Sequence, residues 1–175
     1  MTPLISIIVP LYNEQDNLAP FLARLHAVLT AQANIRFEII AINDGSMDAT
    51  LPRLLELRLQ YPALHVIELS RNFGKEAALT AGLDNAQGDA IIPIDGDLQH
   101  PPELIPAMLD KWHEGYDVVL ARRRNREHES WLKRQAAQLF YRLQQRISRP
   151  PLPADVGDFR LMDRRVVDAL RTMRE

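Results

Sequence analysis

The stretch IIPIDGDLQHPP (Ile91–Pro102) ends an apolar run with Asp95 and Asp97, one residue apart. Two carboxylates this close repel each other, and burying an unpaired carboxylate is costly, so the pair calls for positive charge beside it. Oxygen ligands arranged around an intervening glycine suit a hard divalent cation. Mg²⁺ or Mn²⁺ bound through one or two carboxylates keeps positions open for substrate phosphates. Gln99, two residues on, offers a further carbonyl oxygen. A turn closed by a capping aspartate ahead of a helix starting at Pro101–Pro102 also fits these residues.

Three other stretches carry candidate chemistry. In INDGS, Asp44 can accept hydrogen bonds from a base or a ribose and Gly45 permits a positive φ; an ordinary Asp-Gly turn with Ser46 as a helix cap also fits. RNFGKEAAL sets Arg71 and Lys75 at the entrance to a helix. Cations are disfavoured there, so an anion held between them is one reading and plain surface charge the other. DVGDFRLMDRR contains Asp155, Asp158 and Arg160, and a lone aspartate in such a stretch commonly caps a helix or pairs with a cation. The chain has no cysteine, and its five histidines show no HxxxH spacing, which excludes thiolate chemistry and argues against a histidine metal site.

These residues need elements to hold them. LISIIVPLY (Leu4–Tyr12) is the kind of continuous apolar run that marks a strand buried on both faces, and FEIIAIN, LHVIELS, DAIIPI and YDVVLA follow as four more strands. Between them lie stretches with helical spacing. One contains Leu18, Leu22, Leu25 and Leu29, and a second starts at Ser46 or Asp48. A third is KEAALTAGLDNA, closed by Gly88, and a fourth begins with prolines in its first turn. Alternating strands and helices predict an α/β fold, a mostly parallel sheet with helices on both faces. The polar stretches YNE, NDGS, SRNFGK, DGDLQ and ARRRNRE each follow a strand. They are therefore expected along the carboxyl edge, where such sheets bind ligands.

With 175 residues, 46% of them hydrophobic and 25% charged, the chain has the length and composition of one soluble globular domain. The amino-terminal MTPLISIIVPLYNE has neither a basic start nor a small-residue cleavage site, and no run reaches about 18 apolar residues, so neither a secretory signal nor a membrane span is expected. The net charge of −2 conceals a division. Residues 1–120 hold 7 basic and 16 acidic side chains, whereas residues 121–149 hold 9 basic side chains against Glu127 and Glu129. Within that basic block, WLKRQAAQLFYRLQQRI carries one apolar helical stripe with Trp131 at its end. Such a helix can lie in a membrane interface or pack on the sheet. The sequence has no nucleic-acid motif, and none is expected as a partner.

Taken together, SIIVPLYNE, INDGSMDAT, SRNFGKEAALTAGLDNAQGD, IDGDLQHPPELI, YDVVLARRRNRE and GDFRLMDRRVVDAL resemble, in order, the inverting family 2 glycosyltransferases of the GT-A fold. The pattern is most similar to the polyprenyl-phosphate (bactoprenol) glycosyltransferases, with dolichol-phosphate mannosyltransferases as relatives. It covers nearly the whole chain.

The resemblance implies transfer of a sugar from a nucleotide sugar, UDP-glucose for example, to a polyprenyl phosphate with the help of Mg²⁺ or Mn²⁺. It implies that Pro10, Tyr12, Glu14, Asp44, Lys75 and Asp95 bind the nucleotide, that Asp95, Asp97 and Gln99 hold the metal, that Arg123 meets the acceptor phosphate, and that Asp158 is the catalytic carboxylate. It further implies a single catalytic domain over 1–175, truncated before carboxy-terminal membrane helices. The complete protein would be anchored at the cytoplasmic face of the inner membrane and could self-associate. A GDP-mannose transferase, a Mg²⁺-binding receiver-like domain and a nucleotide- or membrane-binding module without activity are the competing readings, and the sugar itself is left open.

Overall fold

The computed structural model describes residues 2–122 and 156–172, and of residues 122 and 156–158 the backbone alone. The chain divides into two compact units, residues 1–120 with 158–175 and residues 121–157. Nearly all of the second unit lies outside the described residues, and with it Arg123 and the basic helix read at 131–147.

Among the described residues, six strands form one sheet: β1 (Leu4–Leu11), β2 (Arg36–Asn43), β3 (Leu64–Glu68), β4 (Ala90–Pro93), β5 (Val118–Arg122) and β6 (Val156–Asp163). Their order across the sheet is β3-β2-β1-β4-β6-β5. The pairs β1–β2, β2–β3 and β1–β4 are parallel, with Ile8 abreast of both Ile40 and Pro93. Strands 1 to 3 progress outward in one direction, and the chain then returns to add β4 on the other side of β1. That reversal opens a crevice at the carboxyl ends of β1 and β4, the place where ligands bind in open α/β sheets.

The helices are α1 (Leu18–Thr30), α2 (Thr50–Gln60), α3 (Lys75–Asn85), α4 (Ile105–His113) and α5 (Arg164–Thr172). None among the described residues is long and apolar enough to cross a membrane. The apolar runs of β1 and β4 are buried as their composition predicts, with Ile5, Ile7, Ile8, Ile91 and Ile92 wholly inaccessible. A core cluster gathers Ile8, Ile40, Ile42, Ile91 and Met162 of the sheet with Ala78 of α3 and Val167 of α5. Gly82, in the middle of α3, sets how closely that helix approaches. A Cβ there would stand 2.4 Å from Ile8 Cγ2 and 2.9 Å from Ile42 Cδ1. Ser6 of β1 is buried and satisfied: its hydroxyl donates to Glu38 Oε1 (2.5 Å) and accepts from Gly88 N–H (2.7 Å).

Four local expectations differ from what is found. VGDFRLMD, in the stretch read only for its charges, is a strand: β6 runs antiparallel to β4, with Ala90 abreast of Asp163, and separates β4 from β5. Its signal is an alternation of buried Phe159 and Leu161 with exposed Arg160. The helix α2 starts at Thr50 with Ala49 at the cap position; Ser46 bonds elsewhere, while Asp48, one residue before the cap, accepts from Thr50 N–H. The helix α3 ends at Asn85 with Ala86 as its C-cap, and Gly88, read as its stop, has its N–H taken by Ser6. The proline-led helix is split into a 3₁₀ turn, Pro102–Leu104, and α4. Pro106 has no N–H to donate back to residue 102, so the α-helical ladder restarts at Ile105.

Asp163 braces β6 against α4. Partial burial works to raise its pKa, but the bond from Trp112 Nε1 (2.8 Å) and those from Arg165 outweigh this and hold the carboxyl below its ordinary value.

The close approach at Gly82 gives a testable result. Alanine favours a helix over glycine by about 1 kcal/mol, but forcing a methyl against β-branched Ile8 costs about 1–3 kcal/mol. Gly82→Ala is expected to lower the unfolding free energy in urea, against the sign that helix propensity alone would give.

Candidate functional site

The crevice is a cleft of about 360 Å³ lined by loops that follow four parallel strands. Pro10, Tyr12 and Glu14 come from the end of β1, Asp44 from β2, Asn72, Gly74 and Lys75 from the β3–α3 loop, and Asp95, Gly96 and Asp97 from β4. Four of the five polar stretches expected along one edge are therefore there; the fifth, ARRRNRE, leads out of the described residues.

A web of hydrogen bonds holds the loops. Asn13 N–H donates to Ser46 Oγ (3.0 Å), and Asn13 Oδ1 accepts from Met47 N–H (2.9 Å). Glu14 N–H donates to Thr50 Oγ1 (2.9 Å), and Gln15 Oε1 accepts from Ala49 N–H (2.9 Å). Asp48 accepts from the N–H groups of Gln15 (3.2 Å) and Thr50 (2.9 Å). Partial burial pushes the Asp48 pKa upward, and these bonds more than offset it, leaving the group below the ordinary carboxylate value. The β1 and β2 loops thus form one stitched wall.

Asp44 ties that wall to the next loop. It is 3% exposed, its Oδ1 accepts from Phe73 N–H (2.8 Å) and its Oδ2 from Gly74 N–H (2.9 Å). The sequence suggested a carboxylate aimed at a base or ribose; here both oxygens are already engaged by backbone, with further lone pairs left over. Beside it, Gly45 has φ +63°, and a Cβ would fall 2.3 Å from the carbonyl carbon of Arg71. No other residue allows two main chains to meet so closely.

The cations at the start of α3 part company. Arg71 stacks its guanidinium on the Phe73 ring, 4.8 Å from the centroid. Lys75 Nζ lies 2.8 Å from both oxygens of Asp95. His100 approaches the same carboxylate on another side, with Nδ1 3.6 Å from Oδ2, and its ring packs on Phe159. Asp97 Oδ1 accepts from the backbone N–H of Gln99 (2.9 Å), in a turn where Leu98 takes a φ of +63°.

Pro10, Tyr12, Glu14, Asp44, Lys75, Asp95 and Asp97 line one cleft. Gln99 does not line it: its side chain is exposed, and its backbone steadies Asp97 instead. Arg123 lies outside the described residues. Asp158 is on β6, the strand that pairs with β4 through Ala90–Asp163 and Ile91–Met162. Asn72 and His100 were not singled out from sequence. Asn72 adjoins the noted Arg71, whereas nothing local marks His100, which reaches Asp95 through the turn.

Among the described residues, no three acidic or histidine side chains gather into a metal cage. Asp95 and Asp97 still suit a divalent cation, because Mg²⁺ or Mn²⁺ needs few carboxylates when substrate phosphates complete its shell. The ionisable lining otherwise comprises Glu14 and Asp44 against the single ammonium of Lys75.

Residues 6–171 match the sequence profile of glycosyl transferase family 2. The chain belongs to that family. It is 51% identical over 175 residues to an uncharacterized glycosyltransferase of Synechocystis sp., covering all of this chain and 55% of that protein. It is 46% identical over 171 residues to a prophage bactoprenol glucosyl transferase homolog of Escherichia coli K12, covering 98% of this chain and 56% of that one. The chain thus spans about half the length of the curated relatives it matches. Among solved structures, a mannosyltransferase from Pyrobaculum calidifontis in complex with GDP-Man and Mn²⁺ superposes with a TM-score of 0.62 at 20% identity, over 97% of this chain and 47% of that one. That likeness shows the fold, which is of the GT-A type. Family membership and the antiparallel β6 set aside the receiver-like alternative.

Asp44 provides the test of this architecture. Asparagine offers one acceptor oxygen where two amides now donate, and leaving a buried amide unpaired costs about 1–3 kcal/mol. Asp44→Asn is expected to speed hydrogen exchange at the Phe73 and Gly74 amides selectively, while the amides of β1 keep their protection.

Proposed function

We propose that this chain is the single catalytic domain of a glycosyltransferase that moves a sugar from a nucleotide sugar, a UDP-sugar such as UDP-glucose, to a polyprenyl phosphate. The observation that carries the reading is the charge of the cleft. It sits where a GT-A fold receives its donor, yet four of its lining side chains are carboxylates and one is an ammonium. A diphosphate enters such a cleft only together with further positive charge. Two carboxylates spaced as Asp95 and Asp97 are the natural holders of a divalent cation, Mg²⁺ or Mn²⁺. Bound there, the cation neutralises charge that builds on the leaving diphosphate.

In this reading Pro10, Tyr12 and Glu14 line the nucleoside end of the cleft, and Asp44 uses its remaining lone pairs toward the base. An oxygen of the acceptor phosphate attacks the anomeric carbon from the face opposite the diphosphate. The carbon–oxygen bond to the diphosphate breaks, and the electron pair departs with the nucleoside diphosphate, so the anomeric centre inverts. The acceptor is already anionic and needs little help from a base. Asp158 orients it or takes a residual proton, and Arg123 grips its phosphate through two hydrogen bonds, as a guanidinium can. The relatives named for bactoprenol support a lipid acceptor. In this reading the protein works at the cytoplasmic face of the membrane and self-associates.

Calorimetry tests the donor side. UDP is expected to bind with Mn²⁺ or Mg²⁺ present and to lose most of its affinity in chelator, and Asp97→Ala is expected to abolish the difference. Equal UDP affinity with and without cation would overturn the reading, and a preference for GDP over UDP would move it to the mannosyl class.

The acceptor side is tested in the full-length protein with radiolabelled sugar. Asp158→Asn is expected to keep donor affinity and lose most transfer to polyprenyl phosphate. Near-normal transfer would remove Asp158 from the reaction.

A further inference from the structure

Lys75 occupies an unusual place. It is the first residue of α3, where the helix dipole disfavours a cation, and its ammonium stands 2.8 Å from each oxygen of Asp95. Asp95 is also one of the two carboxylates offered to the divalent cation. One carboxylate cannot give both oxygens to an ammonium and serve fully as a metal ligand, because the two positive charges would stand within a few ångströms of each other and repel. The pair is partly sheltered, with side-chain exposures of 39% for Lys75 and 23% for Asp95, so solvent screens that repulsion only in part.

We propose that Lys75 is a resident counter-ion that guards Asp95 against a bare metal ion and gives it up only when a nucleoside diphosphate arrives. Before the donor binds, the ammonium neutralises Asp95 and keeps cation affinity low. With the donor in the cleft, the diphosphate supplies a second anion beside the start of α3. The flexible four-carbon stem of Lys75 lets the ammonium swing from Asp95 to that anion, and Asp95 becomes free to ligate. One side chain thereby couples metal binding to donor binding, so the cation is held only when there is a diphosphate for it to act on. The inference rests on the donor-site reading above and adds an order of events to it.

The two roles of Lys75 predict effects of opposite sign, which a merely structural lysine would not produce. Mn²⁺ binding is followed by electron paramagnetic resonance of the free ion, without nucleotide and with saturating UDP, and UDP affinity by calorimetry in Mn²⁺. Lys75→Met and Lys75→Gln remove the charge and keep most of the stem. Both are expected to bind Mn²⁺ alone roughly tenfold more tightly than the unaltered protein, and to bind UDP in Mn²⁺ roughly tenfold more weakly, since a unit charge a few ångströms away is lost in each state. Lys75→Arg is expected to keep Mn²⁺ alone weak. Two neutral replacements guard against one that fails to fold, which melting curves reveal. Unchanged Mn²⁺ affinity in a folded neutral variant whose UDP binding still needs metal overturns the guarding role and leaves the donor site standing. Absence of Mn²⁺ binding by every protein, even with UDP, overturns the donor-site reading and this inference with it.

Discussion

A buried carboxylate accepting two backbone amides sets the geometry of the whole cleft. Asp44 directly follows β2, and the Phe73 and Gly74 N–H groups that it takes belong to the loop that launches α3. Those bonds fix where the helix begins and thus where Lys75 stands, and Lys75 in turn fixes Asp95 at the end of β4. The order of dependence runs across the sheet edge, from β2 to the β3–α3 loop to β4, through charge-assisted contacts rather than apolar packing. Such contacts are shorter and stronger than neutral hydrogen bonds and are directional, which suits a place where side chains must be aimed.

The remainder of the sheet gives this edge a rigid base. Ile8, Ile40, Ile42 and Ile91 are locked beneath α3 and α5, and α3 can settle so close only because position 82 lacks a side chain. The helix that carries Lys75 is therefore set from below by packing and from its front end by Asp44. The β1 and β2 loops are joined by side chains of both, so that wall of the cleft is held as a unit.

Much of this was legible in the sequence, for a physical reason. Strands buried on both faces must be largely apolar, and the runs IIVPL, IIAI and AIIPI within LISIIVPLY, FEIIAIN and DAIIPI are. Once the strands are read, the polar stretches after them fall on one edge by topology alone, and Asp44, Lys75, Asp95 and Asp97 meet there. What could not be read was partnership. Asp44 has the composition of a ligand-binding turn, and only the fold shows that its oxygens face amides thirty residues on. Gln99 lies at the spacing of a ligand, yet its backbone rather than its amide does the work. His100 comes beside Asp95 through the left-handed turn at Leu98, which residue types alone do not announce. β6 escaped because its few apolar positions are interleaved with charge, and because an antiparallel strand between β4 and β5 breaks the βαβ rhythm that made the others visible.

Gly45 carries a consequence for how this protein tolerates change. It has no side chain and does not line the cleft, yet the main chain of the β3–α3 loop rests against its bare α-carbon. Any substitution drives the two loops apart at the point where Asp44 holds them together, and the displacement reaches Lys75 and then Asp95. Inactivating changes will therefore not be confined to residues with functional groups. A search for tolerated replacements should find this silent position as intolerant as the aspartates themselves, because here the needed property is the absence of a side chain.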